Sequence, residues 1–397
     1  MNMFHHYNQW QSRLTSSAPS VLNAIRTEAV NSLESLGLPT SKTERYRYTD
    51  IAQLLDGFAD ADIAIEQLEL PSHPYLFSMR RAAEVMPKVL EQHYAQIANI
   101  GEDALVALNT MLTTDGIVIY VPRNTKAEKP IYITDNLVEV NGARILPRRL
   151  LVVLEQGAEA TVFVGYSAAK QSTPLLSTQV MEVSVGDNAH LNLYEMEDTQ
   201  DNTTRLAHTA IRCGRDAVVR HFGITLNCGT TRNTIDARLC DTGSELSLNG
   251  LAIADARQHI DVNTLIDHAA PGCASHELYK FIVDDEAVGA FAGKILVEKD
   301  AQKTTSDEVN ANICASTKAR MFTQPMLEIY ADDVKCSHGS TVGVLDPSAL
   351  FYMQQRGISE PEARRLLKFA FIAQVIDLID LEPLNLRLHQ YVRQRLA

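Results

Sequence analysis

A chain of 397 residues, 45% of them hydrophobic, is long enough for two or three domains or for one extended repeat architecture. Its formal net charge of -13 repels phosphate polymers, which argues against nucleic acid as a partner. The six cysteines include no Cys-x-x-Cys pair, so they fit neither a disulfide framework nor a structural zinc site, and we expect free thiols in a reducing compartment.

We expect no membrane insertion and a cytoplasmic location. The first residues lack a basic region followed by an apolar run, as a secretory leader would have. No stretch of the chain approaches the roughly 20 apolar residues that span a bilayer.

The first third of the chain has helical spacing. Apolar residues from Val21 to Leu36 recur at steps of three and four until Gly37 and Pro39 interrupt the pattern. Weaker helical segments follow between Arg80 and Ala98. We therefore predict an irregular helical N-terminal domain over residues 1–112.

The middle of the chain is typical of β-structure. Short β-branched runs such as Ile117–Val121 begin after Asp115, separated by Gly, Pro and Asn. Glycines recur there at intervals of 28 or 29 residues, at Gly157, Gly186, Gly214, Gly243 and Gly272. So constant a period indicates stacked units that bury their apolar faces on one another. We predict a mainly β fold with a parallel β-helix (solenoid) core over residues 113–342; an antiparallel sandwich is the competing fold.

Helical spacing returns after Pro347. Ser359–Glu362 has the Ser-x-x-Glu form of a capping box, which predicts a helix start with the serine hydroxyl bonded to a free amide. An apolar stripe then runs from Ala363 to Ile379, and Pro383 is expected to end the segment. We predict a C-terminal helical domain over residues 343–397.

The densest polar segment, Asp332–Thr341, contains Cys336 and His338. Two residues apart on a strand, both side chains would face the same side. A thiolate beside an imidazole is a candidate metal site, and Lys335 and His338 could lower the thiol pKa. The pair supplies at most two ligands, and Cys336 alone fits a small buried apolar residue equally well.

The segment Pro325–Gly343 also strongly resembles the SufB/SufD family of iron-sulfur cluster assembly proteins. The resemblance continues through Leu350–Tyr352 and Arg356–Ile358, and upstream it includes Phe291–Ile295 and Ala301–Thr304. The motifs lie mainly in the last third of the chain, although the resemblance covers most of it.

The resemblance implies a non-catalytic scaffold subunit. It would pair with a SufB-like subunit through the β-helix and dock a SufC-like ABC ATPase through the C-terminal helices. A transient iron-sulfur cluster would form at the SufB interface, with no cofactor stably bound to the isolated chain. Independently of the resemblance, an unpaired solenoid edge favours self-pairing, so we expect the isolated chain to form a homodimer. The family role in cluster assembly carries over to His338 as a metal ligand, with Cys336 as its neighbour; both iron and a flavin are candidates for what passes through the subunit.

Two departures favour the SufD branch over SufB. The first cysteine is Cys213, whereas SufB-type chains have additional N-terminal cysteines, and the motif reads Cys-Ser-His-Gly rather than Cys-Glu-His-Glu. A SufB-like subunit is the alternative within the family. Cys314 departs from a family position where Leu is common, and we interpret it as a core substitution.

A β-helical polysaccharide lyase or hydrolase is the alternative outside the family. Its carboxylates would come from Asp284–Glu286 and Asp332–Asp333, but these read as solvated turns, and a single tryptophan argues against carbohydrate binding. The chain has no phosphate-binding Gly-x-x-x-x-Gly-Lys loop. Histidines on predicted strands are expected to be hydrogen-bonded structural residues, namely His208, His221, His259, His268 and His276.

Overall fold

A computed structural model of the chain describes residues 3–137, 142–168 and 173–396, with the side chains of residues 3–6 and of Leu137 excluded. It confirms a mainly β fold built on a parallel β-helix, flanked by helices at both ends. No helix within the described ranges combines the length and apolar character needed to cross a bilayer.

The N-terminal region contains helices and two very short strands. Its elements are α1 (Met3–Ser17), α2 (Ser20–Leu36), a 3-10 turn (Glu44–Tyr46), α3 (Ile51–Asp56), β1 (Asp62–Ile63), β2 (Leu76–Ser78), α4 (Met79–Val85), α5 (Pro87–His93) and α6 (Ala104–Leu112). β1 pairs with the solenoid strand Arg144–Leu154 and β2 with the solenoid strand Ile117–Val121, so this region is joined to the solenoid by backbone hydrogen bonds as well as by side chains.

The solenoid alternates between two sheets. The odd-strand sheet contains β3 (Ile117–Val121), β5 (Arg144–Leu154), β7 (Leu175–Val185), β9 (Thr203–Cys213), β11 (Thr230–Leu239), β13 (His259–His268), β15 (Val288–Val297) and β17 (Arg320–Ile329). The even-strand sheet contains β4 (Ile131–Leu137), β6 (Glu159–Ala168), β8 (His190–Asp198), β10 (Val218–Asn227), β12 (Glu245–Ala254), β14 (Ala274–Val283), β16 (Thr305–Cys314) and β18 (Lys335–Gly343). Each turn of the coil adds one strand to each sheet, in parallel register with the turn before. The inner faces of the two sheets enclose a lumen filled mainly by one apolar cluster.

The periodic glycines all lie where the chain passes from an odd strand to the next even strand. Gly157, Gly243 and Gly272 have positive φ angles of 67°, 76° and 71°, a backbone conformation that favours glycine. Gly186 and Gly214 are required for a different reason, because a Cβ atom there would lie 2.9 Å and 2.7 Å from atoms of the preceding turn. The repeat in the sequence is therefore a repeat of this corner.

The helical regions cover opposite outer faces of the solenoid. Helix α6 packs against β5, β7 and β9 of the odd-strand sheet. Buried charge reinforces the contact, because Glu182 on β7 accepts backbone N–H bonds from Ala95, Ile97 and Ala98 and pairs with Arg149 at 2.5 Å. This arrangement fixes the loop before α6 on the sheet.

The C-terminal region contains α7 (Pro347–Gln355), α8 (Glu360–Ile376) and α9 (Glu382–Arg395), and α8 packs on β12 and β14 of the even-strand sheet. Ser359 is the N-cap of α8, as predicted, but its hydroxyl makes no cap hydrogen bond, and the carboxyl of Glu362 is held instead by Arg365 at 2.8 Å. Pro383 does not end this helix. It lies in the first turn of α9, where its missing N–H is not needed.

Candidate functional site

The candidate ligands Cys336 and His338 lie on β18, the last strand of the even-strand sheet. Among the described strands, β18 pairs only with β16, and β17 pairs only with β15. Their outer edges therefore offer free backbone N–H and C=O groups. We call this end of the solenoid, formed by β17, β18 and the following α7, the open end.

Strand register places the two candidates on the same face. Cys336 is paired with Ser306 and His338 with Glu308, and both partners are buried in the lumen. The side chain of Cys336 is half-buried and packs against a small apolar cluster that includes Ile295 and Ala331. His338 is exposed. The structure thus brings the thiol and the imidazole to neighbouring positions on one strand face but in different surroundings.

The electrostatic environment of Cys336 differs from the expectation. Lys335 and His338 were expected to lower the thiol pKa. Instead burial raises the pKa of Cys336, and a backbone hydrogen bond from Ser306 only partly opposes the rise. The reason is that the thiol packs on aliphatic side chains, which disfavour the thiolate.

No group of three His, Cys, Asp or Glu side chains in the described parts of the chain converges to hold a metal ion. A metal site built on Cys336 and His338 would therefore need further ligands from another molecule. The position at the open end makes both residues accessible to one.

Two carboxyls that the sequence analysis did not single out lie behind His338. In the even-strand sheet, Glu277 on β14 is paired with Glu308 on β16, and Glu308 with His338 on β18. Glu277 and Glu308 are both fully buried, at 0% exposure, and no oxygen of either carboxyl has a hydrogen-bond partner. These three residues are 31 and 30 positions apart in the sequence. Aligning successive repeats could therefore have revealed that they form one column across the sheet.

Burial also favours the protonated form of the Glu277 and Glu308 carboxyls. Desolvation and the neighbouring Glu308 carboxyl raise the pKa of Glu277 well above its usual range, and the nearby Thr264 hydroxyl offsets only part of that rise. Desolvation raises the pKa of Glu308 to about 8. Two adjacent carboxyls in an apolar lumen cannot both be ionised without a compensating charge.

The open end also exposes large apolar side chains. Val344 is 70% exposed and Tyr330 is 59% exposed, and they are joined by Val342, Phe351 and Tyr352. Apolar groups concentrated beside a free strand edge are typical of a surface that another protein covers.

The other polar candidates have structural partners. Each of the five strand histidines named in the sequence analysis makes a side-chain hydrogen bond, as expected: His208 with Asp236, His221 with Glu195, His259 with Thr49, His268 with Ser275 and His276 with Asp307. Asp284–Glu286 lies in the turn between β14 and β15, where Lys368 binds Asp284 and Lys318 binds Glu286. Asp332–Asp333 lies in the exposed turn before β18. Cys314 is half-buried at the end of β16.

Comparison with known proteins agrees with this architecture. Residues 137–371 match the family model described as "SUF system FeS cluster assembly, SufBD core domain", and residues 1–75 and 56–133 match that of the SufBD protein N-terminal region. The chain is 29% identical to a SufBD family iron-sulfur cluster assembly protein of Synechocystis, over 97% of this chain and 93% of the relative.

Two relatives named iron-sulfur cluster assembly protein SufD are also similar. The Escherichia coli protein is 30% identical over 91% of this chain and 90% of its own length. The Bacillus subtilis protein is 26% identical over 75% of this chain and 68% of its own length. With its core model matched over more than half of its length, the chain belongs to the SufB/SufD family of iron-sulfur cluster assembly proteins.

Proposed function

We propose that this chain is a cytoplasmic, non-catalytic scaffold subunit of the SufD type. It pairs with a SufB-like subunit through the open end of its solenoid and docks a SufC-like ABC ATPase through α7–α9. A transient iron-sulfur cluster is assembled at the seam between the two solenoid subunits, with His338 as a ligand on this side and Cys336 as its neighbour. When no partner is present, two copies pair through the same end.

The open end is the observation that carries this proposal. Free strand edges on β17 and β18, the exposed His338 and the exposed apolar side chains of Tyr330 and Val344 all lie there. Elsewhere, helix α6 packs on β5, β7 and β9 of one outer face, and α8 packs on β12 and β14 of the other. A partner strand that extended either sheet would gain backbone hydrogen bonds and bury the apolar groups at the same time.

The C-terminal helices support the ATPase-docking part of the proposal. They pack firmly on the even-strand sheet through buried residues such as Ile372 and Val375. Leu366 and Leu378, which the stripe predicted to be packed, instead remain exposed. Leu366 borders a groove of about 520 Å³ on the outer side of these helices, lined by Met353, Arg365, Leu366, Leu367, Phe369, Ala370 and Arg393. Apolar groups flanked by two arginines suit a mixed apolar and acidic partner surface.

Histidine and a half-buried thiol are suitable donors for a bound iron-sulfur cluster, but together they are too few to hold one stably. A second subunit must therefore complete the site. Closure of the docked ATPase on its nucleotide would shift the seam and change its accessibility, which is a population shift driven from a neighbouring subunit.

Co-expression with SufB-type and SufC-type partners tests the assembly. A ternary complex should co-purify with the wild-type chain. Val344→Arg should release the SufB-type subunit and keep the ATPase, whereas Leu366→Arg should release the ATPase and keep the SufB-type subunit. If neither variant lost a partner, or if the wild-type chain formed no complex, the proposed docking surfaces would be wrong.

A further inference from the structure

The carboxyls of Glu277 and Glu308 differ from the other buried carboxyls of the described chain. Each of the others accepts a hydrogen bond or pairs with a cation: Asp103 with Tyr46, Asp115 with backbone N–H groups, Glu182 with Arg149, Glu195 with His221, Glu197 with Arg205, Asp261 with Arg232 and Asp267 with Arg238. Glu277 and Glu308 have no such partner on any of their oxygens. Within the residues that the structure describes, every buried carboxyl is thus compensated except those of this pair.

The pair occupies one defined position in the lumen. As partners on adjacent strands, their Cα atoms are separated by the spacing of roughly 4.8 Å between strands of a sheet. On the opposite, odd-strand sheet, Thr264 is the register partner of Gly293. Glu308 reaches across to Gly293, because a Cβ atom on that glycine would lie only 2.5 Å from its Oε1. Glycine therefore leaves the space that the carboxyl occupies.

A third oxygen points to the same place. Thr264 is 1% exposed, and its hydroxyl has no hydrogen-bond partner. Because Thr264 is the register partner of Gly293, it lies beside the space that the Glu308 carboxyl occupies. Five buried oxygen atoms without partners, from Glu277, Glu308 and Thr264, are thus gathered between two strands of each sheet. A buried polar atom without a partner costs roughly 1–3 kcal/mol, and a charged one costs more, so such a concentration indicates a ligand that satisfies them.

We propose that Glu277, Glu308 and Thr264 form a binding site for a divalent cation in the lumen of the solenoid. Two carboxyls and a hydroxyl are hard oxygen ligands, which suit Mg²⁺, Mn²⁺ or Fe²⁺, and water molecules complete the coordination. A single divalent charge balances both carboxylates, which no lysine or arginine does here.

The proposed site lies close to the open end. His338 is the register partner of Glu308 on the last strand of the even-strand sheet and is exposed. Glu308 is therefore one strand further inside the solenoid than the candidate seam ligand His338.

The inference is independent of the proposed scaffold function, because the isolated chain contains all three protein ligands. Manganese binding by the purified full-length protein tests it without a partner or a cluster. After treatment with a chelator, the protein is titrated with Mn²⁺, and free Mn²⁺ is followed by electron paramagnetic resonance. The wild type should bind one Mn²⁺ per chain, and Glu277→Gln or Glu308→Gln should weaken that binding at least tenfold.

Asp307→Asn is the matched control, because Asp307 precedes Glu308 on the same strand and belongs to the outward face, where it pairs with His276. It should leave Mn²⁺ affinity unchanged. Glutamine preserves the side-chain size and introduces no charge into the lumen, so both variants should fold, which circular dichroism checks. Thr264→Val, of nearly equal size, should weaken binding several-fold. A wild type that binds no Mn²⁺, or equal affinity in wild type, Glu277→Gln and Glu308→Gln, would overturn the inference.

Discussion

Glu308 and His338 are register partners on the last two strands of the even-strand sheet, yet the carboxyl is fully buried and the imidazole is exposed. The boundary between lumen and solvent therefore falls between two neighbouring strands. A molecule that covers the open end would move that boundary outward and place His338 in surroundings like those of Glu308.

The pH dependence of stability should report the state of Glu308. Desolvation raises its pKa from 4.5 to about 8 in the folded chain, so folding takes up a proton in this window. Its contribution to stability is complete below about pH 4.5 and is lost as pH rises through about 8. With metal removed, the free energy of unfolding of the wild type relative to Glu308→Gln should fall by a few kcal/mol across that window. Urea unfolding at several pH values measures this, and a constant difference would contradict it.

Gly293→Ala should disturb the lumen because its methyl group would lie 2.5 Å from Glu308 Oε1 and force the carboxyl to move. We expect a loss of roughly 1–3 kcal/mol in the free energy of unfolding, as for other overpacked interiors. Gly339→Ala on β18 is the control, since nothing lies within 4 Å of a Cβ atom built there. Denaturant unfolding compares the two variants. Equal stability would show that a methyl group at Gly293 fits beside the Glu308 carboxyl without cost.

Glu182→Gln should loosen the N-terminal region from the solenoid. The carboxylate accepts N–H bonds from Ala95, Ile97 and Ala98 and pairs with the buried Arg149, so the substitution leaves that arginine without its counter-charge. Breaking a buried pair in this way costs roughly 3–5 kcal/mol. Faster amide exchange at Ala95–Ala98 would locate the effect.

The control for that change is Glu84→Gln. Its exposed pair with Arg81 spans one helical turn and is expected to contribute less than about 1 kcal/mol. A comparable loss of stability in both variants would mean that the buried Glu182–Arg149 pair contributes no more to stability than the exposed Glu84–Arg81 pair.

The thiol of Cys336 should react slowly. Burial raises its pKa, so little thiolate is present near neutral pH in the folded chain. Alkylation by iodoacetamide, followed by mass spectrometry of the peptide that contains Cys336, should be several-fold slower in the folded protein than in urea. Equal rates would show that packing against the aliphatic cluster does not protect the thiol.

Periodicity was sufficient to predict the solenoid, because five successive corners of the coil each require a glycine. Some of these corners need a positive φ, as at Gly157, and others leave no room for a side chain, as at Gly186. The helical ends were predictable from apolar spacing, and the buried face was predictable only in part. Ala363 and Val375 of the predicted stripe are buried, whereas Leu366 of the same stripe stays exposed and Ile372, outside the stripe, is buried.

The candidate site was only partly predictable. Alternation along β18 put Cys336 and His338 on one face, but the raised pKa of the thiol depends on aliphatic neighbours contributed by β15 and the turns that follow it. Glu277 and Glu308 look like ordinary strand carboxyls in the sequence. Their burial and lack of partners follow from the register between turns, where the spacing lengthens from 29 to 31 residues.

Cluster loading of the assembled complex tests the central claim that His338 is a ligand at the seam. Iron and acid-labile sulfide are measured after reconstitution of the complex that contains wild-type chain, His338→Ala or Ser340→Ala, the last being an exposed residue two positions along the same strand face. We expect several-fold less iron and sulfide with His338→Ala, with the complex intact, and wild-type loading with Ser340→Ala. Wild-type loading in an intact His338→Ala complex would contradict it.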